Sequence, residues 1–233
     1  MLHKKKTGHR GRRNNYWAES KRTNRNLFDP YAYAAEYAYF EKYYDELNSS
    51  NEIVIKNEKT HEKFLMPVST NDIETAINSL PSEFFTGLKG VILLSGSNKQ
   101  FKVSRGNLFC FGMYYAHCIF LFPYPRDQLV VSSQSLPAPH IQREYERAGA
   151  IYSRKDTRWV RKFSKKSLKA YYLKDVFVHE LGHHVDRHKE RSDEKSEIYA
   201  DWFATEYGFK RIRGNHEQSI TISTIRDRPK APG

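Results

Sequence analysis

Cysteine is scarce in this 233-residue chain, which has only Cys110 and Cys118. Two cysteines are too few for a disulfide framework, and their spacing matches no metal-binding pair, so both read as free buried thiols. Long apolar runs are also missing. The longest stretch, Leu108 to Phe122, is interrupted by Gly112 and His117, which excludes a membrane-spanning helix. The basic start of the chain continues polar through Thr7-Gly8-His9-Arg10-Gly11-Arg12-Arg13, without the apolar stretch of a secretory signal, so a cytoplasmic location is expected. No internal repeat is visible. An apolar fraction of 39% against 28% charged residues is too ordered for a disordered chain and suits one domain with polar extensions.

Acidic residues are the other shortage, and the resulting net charge of +12 is unevenly placed. Residues 1–25 hold nine Lys or Arg against one Glu, and residues 143–174 hold eleven against three acids. The first segment, with Lys4-Lys5-Lys6 among Gly, Asn and Thr, has too little apolar surface to offset its ordering entropy and is expected to be a flexible arm. Its uses are electrostatic: contact with nucleic acid or an acidic partner, or simple solubility. In the second, Trp159 and Phe163 lie among Arg158, Arg161, Lys162, Lys165 and Lys166. Single-strand-binding surfaces mix aromatics and cations in this way, and so does an amphipathic helix packing its aromatics inward.

Between these segments the pattern is mixed α+β. Tyr31–Leu47 reads as a helix starting at Asp29-Pro30, and Ile53-Val54-Ile55 as a short strand. Ser69–Leu80 reads as a helix capped by Thr70 or Asn71, with Ile73, Ala76, Ile77 and Leu80 at helical spacing and Pro81 ending it. Leu88–Leu94 reads as a buried strand. Leu108–Met113 and Cys118–Phe122 read as a hairpin around Tyr114-Tyr115-Ala116-His117, closed by Pro123 and Pro125. Residues 126–145 read as an irregular connection. Lys166–His188 forms the next helix, Lys189–Lys195 breaks it, and Ser196 begins a last helix that Gly208 should end. The expected organisation is a basic flexible arm over 1–25, a helical extension over 26–60, a main domain over 61–213 with a basic insertion at 126–170, and a flexible tail over 214–233.

The chemistry is concentrated in His179-Glu180-Leu181-Gly182-His183. Two histidines four apart on a helix stack one turn above the other, which aims both imidazoles at one ion. Glu180 is rotated away from ligation yet near enough to take a proton from a water on that ion. Zinc suits imidazole and carboxylate ligands and keeps a fourth position for water, whose pKa it lowers to about 7. Downstream, Glu197, Ala200, Asp201 and Ala204 share a helical face whose alanines allow close approach to the first helix. Glu197 is then the expected third ligand, ahead of Asp201, of Glu190 near the end of the first helix, and of Asp193 and Glu194 in the polar break, where a carboxylate would be held loosely. Asp201 is the expected acceptor for the outer N–H of a ligand histidine. His184 and His188 point elsewhere and read as surface groups.

With Glu197 and the Ala200, Asp201, Phe203, Ala204 pattern downstream, the His179–His183 segment resembles the gluzincin group of zincin metallopeptidases. The stretch through Asp186 is similar to anthrax lethal-factor-like catalytic domains, and the Glu197–Ala204 segment to small intracellular peptidases of the ImmA/IrrE type. Asp186 and Lys189 stand where the metzincin pattern needs Gly and His, which excludes that group. Over residues 69–209 the resemblance implies a zincin-like α+β fold, with a small twisted mixed sheet packed on an active-site helix and a glutamate-bearing helix. It further implies a zinc metalloendopeptidase acting on a protein substrate, and makes Cys118–Phe122 the edge strand that pairs with an extended substrate. Tyr172, Tyr199, Tyr207 and His140 are the candidates for stabilising the transition state. The competing expectations are a binding protein with structural zinc whose basic arms engage nucleic acid, and a peptidase directed to nucleic-acid-bound proteins.

Overall fold

Strands buried on both faces read as unbroken apolar runs, and the run expected at Leu88–Leu94 is one. In the computed structural model, Gly90–Leu93 (β3) is buried throughout and pairs in parallel with Ile53–Asn57 (β1) on one side and Cys118–Leu121 (β5) on the other. The structure describes residues 52–97, 111–186, 193–210 and 222–225, together with Tyr43 and Leu47. Ile222–Ile225 (β10) adds a parallel strand beyond β1, and Gly112–Tyr115 (β4) an antiparallel one beyond β5, giving the order β10-β1-β3-β5-β4. The sheet is therefore mixed. Part of the expected flexible tail over 214–233 is thus a strand; the arm over 1–25 lies outside the described residues.

Alternation along these strands splits the core in two. Ile53, Ile55, Val91, Leu93, Ile119 and Leu121 face one layer, with Ile73, Ile77, Leu168, Val176 and Phe177 packed against them. Val54, Ile92, Phe120 and Cys118 face the other, against Tyr43 and Leu47. Both of these residues are helical and buried, in line with the helix expected over Tyr31–Leu47. The Tyr43 hydroxyl donates to Glu58, whose other oxygen accepts the Ser95 N–H at 2.8 Å. Cys118 is a free, buried thiol; Cys110 lies outside the described residues.

The hairpin is tighter than the sequence suggests. Strands β4 and β5 are joined by the two residues Ala116 and His117, both at positive φ (48° and 63°), as a two-residue hairpin turn requires. The resemblance made the Cys118–Phe122 strand the edge, and this is corrected: β5 lies inside the sheet between β3 and β4, and β4 is the edge. The four-residue apolar run of β5 is suited to burial on both faces, whereas β4 is half-buried beyond Gly112.

Helix α1, Thr70–Asn78, is capped by Ser69, one residue before the expected caps. Ser69 Oγ accepts the Asp72 N–H at 3.3 Å, and Asp72 Oδ2 accepts the Ser69 N–H at 2.9 Å, a reciprocal pairing that satisfies two orphan donors. Burial alone would raise the Asp72 pKa, but Lys169 at 2.6 Å and the Ser69 hydrogen bonds outweigh it and lower the net value.

Residues 126–145 are ordered, contrary to the irregular connection expected. They supply Val130–Ser133 (β7) and Pro139–Arg147 (α2), and β7 joins Ile151–Lys155 (β8) and Arg158–Lys162 (β9) in an antiparallel sheet of order β7-β9-β8. A further two-stranded ladder pairs Phe64–Leu65 (β2) with Tyr124–Pro125 (β6). Trp159 is therefore on a strand, while Phe163 is in the core beside Tyr145 and Tyr171.

The last two helices each differ from a plain α-helix. Lys165–Tyr171 (α3) runs through a π-helical turn, Tyr172–Val176, into Phe177–Val185 (α4). One extra residue in a helix rotates everything after it by about 100°. This turn sets which face of α4 meets its neighbours. Helix α5 begins at Asp193, three residues before the expected start, and Asp193–Thr205 continues into a second π turn, Glu206–Lys210. Gly208 does not end the helix. A Cβ there would lie 2.8 Å from the Lys174 carbonyl carbon and nearer still to its oxygen, so glycine is required where the two π turns meet. No helix among the described residues is long and apolar enough to cross a membrane.

Candidate metal centre

Helices α4 and α5 cross where both are small. A Cβ on Gly182 would stand 3.0 Å from Ala200 Cα and 3.1 Å from Phe203 Cβ, and Ala200 and Ala204 are fully buried. The alanine face read from the sequence thus carries the close approach, with Gly182 completing it from the other side. Phe203 and Tyr207 lock the crossing from above through edge contacts with Phe84 at 5.0 and 4.7 Å.

This crossing brings His179, His183 and Glu197 together, with one donor atom from each lying within 4.8 Å of the others. The two Nε2 atoms are 3.1 Å apart, His179 Nε2 is 3.4 Å from Glu197 Oε2, and His183 Nε2 is 3.7 Å from Glu197 Oε1. Ligands held tetrahedrally at about 2.0–2.1 Å stand about 3.3 Å from each other; the two imidazoles are near that spacing, while the two contacts to Glu197 run to different carboxylate oxygens, and a single oxygen completes the cluster within 4.8 Å. Among the described residues this is the cluster that could hold a metal ion.

The outer ring nitrogens agree with this orientation. His179 Nδ1 lies 3.0 Å from Asp201 Oδ1, the pair expected from the sequence, at ion-pair distance but without hydrogen-bond geometry, and His183 Nδ1 lies 3.1 Å from Ser196 Oγ, which was not expected. With a proton on each Nδ1, facing these oxygens, both Nε2 lone pairs would point inward towards an ion. Burial, reinforced by the neighbouring His179, pushes the His183 pKa down to about 4, against the opposing pull of Glu197, Asp201 and Asp186. His183 is accordingly neutral at pH 7, the form that ligates. Ser196 precedes Glu197 directly, the one sequence signal that would have found it.

Glu180 is fully buried beneath β4. A Cβ on Gly112 would be 2.8 Å from Glu180 Cγ, from Glu180 Oε1 and from Val176 Cγ1, so the edge strand rests directly on this carboxylate because residue 112 has no side chain. Two residues along the strand and one turn along the helix, Tyr114 meets His184. The Thr86 carbonyl, 3.2 Å away, can only accept, so His184 Nε2 donates to it, and His184 Nδ1 accepts the Tyr114 hydroxyl at 3.0 Å. Burial pushes His184 down to about 4 and Tyr114 up to about 12, which keeps both in these roles. His184 is thus corrected from a surface group to the residue that fastens β4 to α4. His188 and Glu190 lie outside the described residues, as do the side chains of Asp193 and Glu194.

Of the suggested stabilisers, Tyr172 is fully buried with its hydroxyl donated to the Phe122 carbonyl at 2.8 Å. Tyr199 and Tyr207 pack in the aromatic group with Trp202 and Phe203, and His140 is exposed on α2. Compared with protein-family models, with curated proteins and with solved structures, the chain matches none.

Proposed function

We propose that the chain is a zinc-dependent metallopeptidase with a zincin-like fold. Its ligands are His179, His183 and Glu197, and Glu180 is its general base. The observation that carries this reading is the convergence of His179, His183 and Glu197 from two helices, one donor atom of each within 4.8 Å of the others, with the buried Glu180 one residue after the first histidine. Imidazole and carboxylate are zinc's usual catalytic donors, and three of them leave one position open. When bound, zinc supplies a lowered water pKa and polarises the scissile carbonyl.

The protein's own groups supply the rest. Asp201 and Ser196 orient the two imidazoles through Nδ1. Glu180 is held under Gly112, between the ligand helix and the edge of the sheet, where its carboxylate takes a proton from the attacking water and passes it to the leaving amine. Strand β4, the true edge, is the one an extended peptide would extend, and its first residue, Gly112, lies against Glu180.

Glu180→Gln tests the reading. The variant should keep about one zinc per chain and lose cleavage in a proteome-wide peptide profile compared with wild type. Absence of zinc from protein expressed in zinc-replete medium, or cleavage by the variant at the wild-type rate, overturns it.

A further inference from the structure

The β7-β9-β8 sheet carries chemistry that neither the core nor the metal centre uses. Residues 151–166 include seven Lys or Arg against one Asp. One of the seven, Arg161, is buried: it lies 4.6 Å over the Tyr145 ring and donates to the Tyr124 hydroxyl at 3.1 Å, which anchors the sheet to the domain. The other six, Arg154, Lys155, Arg158, Lys162, Lys165 and Lys166, are exposed. None of them is paired with a carboxylate among the described residues.

The register shows how they are arranged. Lys155 stands directly opposite Arg158, and Lys162 stands between Ile151 and Val130. Strand alternation puts these two rows, with Ser132, Val160 and Ser153 between them, on the face opposite to buried Arg161. Like charges directly opposite each other destabilise a sheet, so the Lys155–Arg158 pair does nothing for the fold. Val130 and Ile151 are two of the four exposed large hydrophobics among the described residues, at 52% and 66% exposure, and they flank a lysine in one continuous stripe.

We propose that this outer face binds single-stranded nucleic acid, with phosphates on Lys155, Arg158 and Lys162 and unstacked bases against Val130 and Ile151. Unneutralised cations fit a phosphate backbone, and counterion release would drive the contact. The aliphatic pair selects the single strand. A duplex keeps its base faces stacked out of reach and offers side chains little apolar surface beyond the thymine methyls in its major groove, whereas a single strand exposes base faces. The inference does not depend on the peptidase reading, and failure of either leaves the other standing.

The test uses the full chain and fluorescein-labelled 20-nucleotide single-stranded DNA and RNA, with a duplex of equal length, in anisotropy titrations over a salt series. Lys155→Thr/Arg158→Thr/Lys162→Thr should reduce the slope of log K against log salt by about 2, at about 0.7 per phosphate contact. Val130→Thr/Ile151→Thr should weaken single-strand binding several-fold and leave the slope unchanged. Lys59→Thr/Lys63→Thr/Lys210→Thr, which removes the same charge from other exposed positions, should do neither. DNA and RNA results distinguish the source of the strand. Melting curves check folding, and relief of the Lys155–Arg158 repulsion should raise the melting temperature of Lys155→Thr alone. An unchanged slope in the first triple variant, an equal loss in the control triple, no effect of the aliphatic pair, or duplex binding as tight as single-strand binding overturns the proposal.

Discussion

Gly112→Ala separates the proposed role of Glu180 as general base from the proposed metal ligands. The added methyl would sit 2.8 Å from Glu180 Cγ, Glu180 Oε1 and Val176 Cγ1 together, whereas carbon contacts are comfortable at about 3.5–4.0 Å. Roughly 1 Å of movement must be found. Gly112 is tied to Leu121 in the β4–β5 ladder and Val176 is buried in the core, so the Glu180 side chain gives way first. Overpacking of this kind costs about 1–3 kcal/mol of stability, and a 1 Å misplacement of a reacting group costs about 100-fold in rate. Metal affinity should hardly change, because all three ligands lie on α4 and α5, away from the methyl. The assay is kcat/KM on a cleavable peptide, alongside zinc per chain and a urea melt. Full activity at unchanged stability would refute the packing argument. Loss of zinc in parallel with activity would refute the separation of base from ligands.

Other variants test the rest of the arrangement. Glu197→Ala should strip most of the zinc, and Asp201→Ala should weaken metal affinity by about 10- to 100-fold; competition with a chelator measures both, and wild-type retention by Glu197→Ala refutes the ligand set. Gly208→Ala drives a methyl into the Lys174 carbonyl, for which no side-chain rotation compensates, and should cost about 3 kcal/mol or roughly 6–12 °C in Tm. Burial raises the Cys118 thiol from 9.0 to about 12, partly offset by a Gly90 backbone hydrogen bond and by Lys89. The unfolded thiol therefore ionises first, and its contribution to stability is present below pH 9 and lost as pH rises from there towards 12. Cys118 should accordingly resist alkylation at pH 8 until urea unfolds the protein.

The helix carrying His179 and His183 was legible because its information is local. His179 and His183 share a face through helical spacing alone, and Ala200 and Ala204 mark a close crossing because small residues at that spacing serve little other purpose. The buried strands at β1, β3 and β5 were legible from apolar runs for the same reason. What the spacing did not reveal was phase. The π turn at Tyr172–Val176 is invisible to a periodicity of 3.6, and Gly208 resembled a helix end because glycine has the same signature whether it supplies conformational freedom or room.

Local sequence thus determined that His179 and His183 share one helical face with Glu180 beside them, and most of the strands and helices, since each depends on residues within a turn or two of one another; the crossing of α4 and α5 brings Glu197 to the two histidines. Tertiary structure alone decided that β4 rather than β5 forms the edge over Glu180, that Gly112 and His184 fasten that edge to the ligand helix, and that Ile222–Ile225 returns to β1. It also made an ordered sheet with an unneutralised outer face from the basic segment. These are contacts between positions far apart in the chain, where the partner of a residue is set by the packing of whole elements and leaves no periodic trace in the sequence.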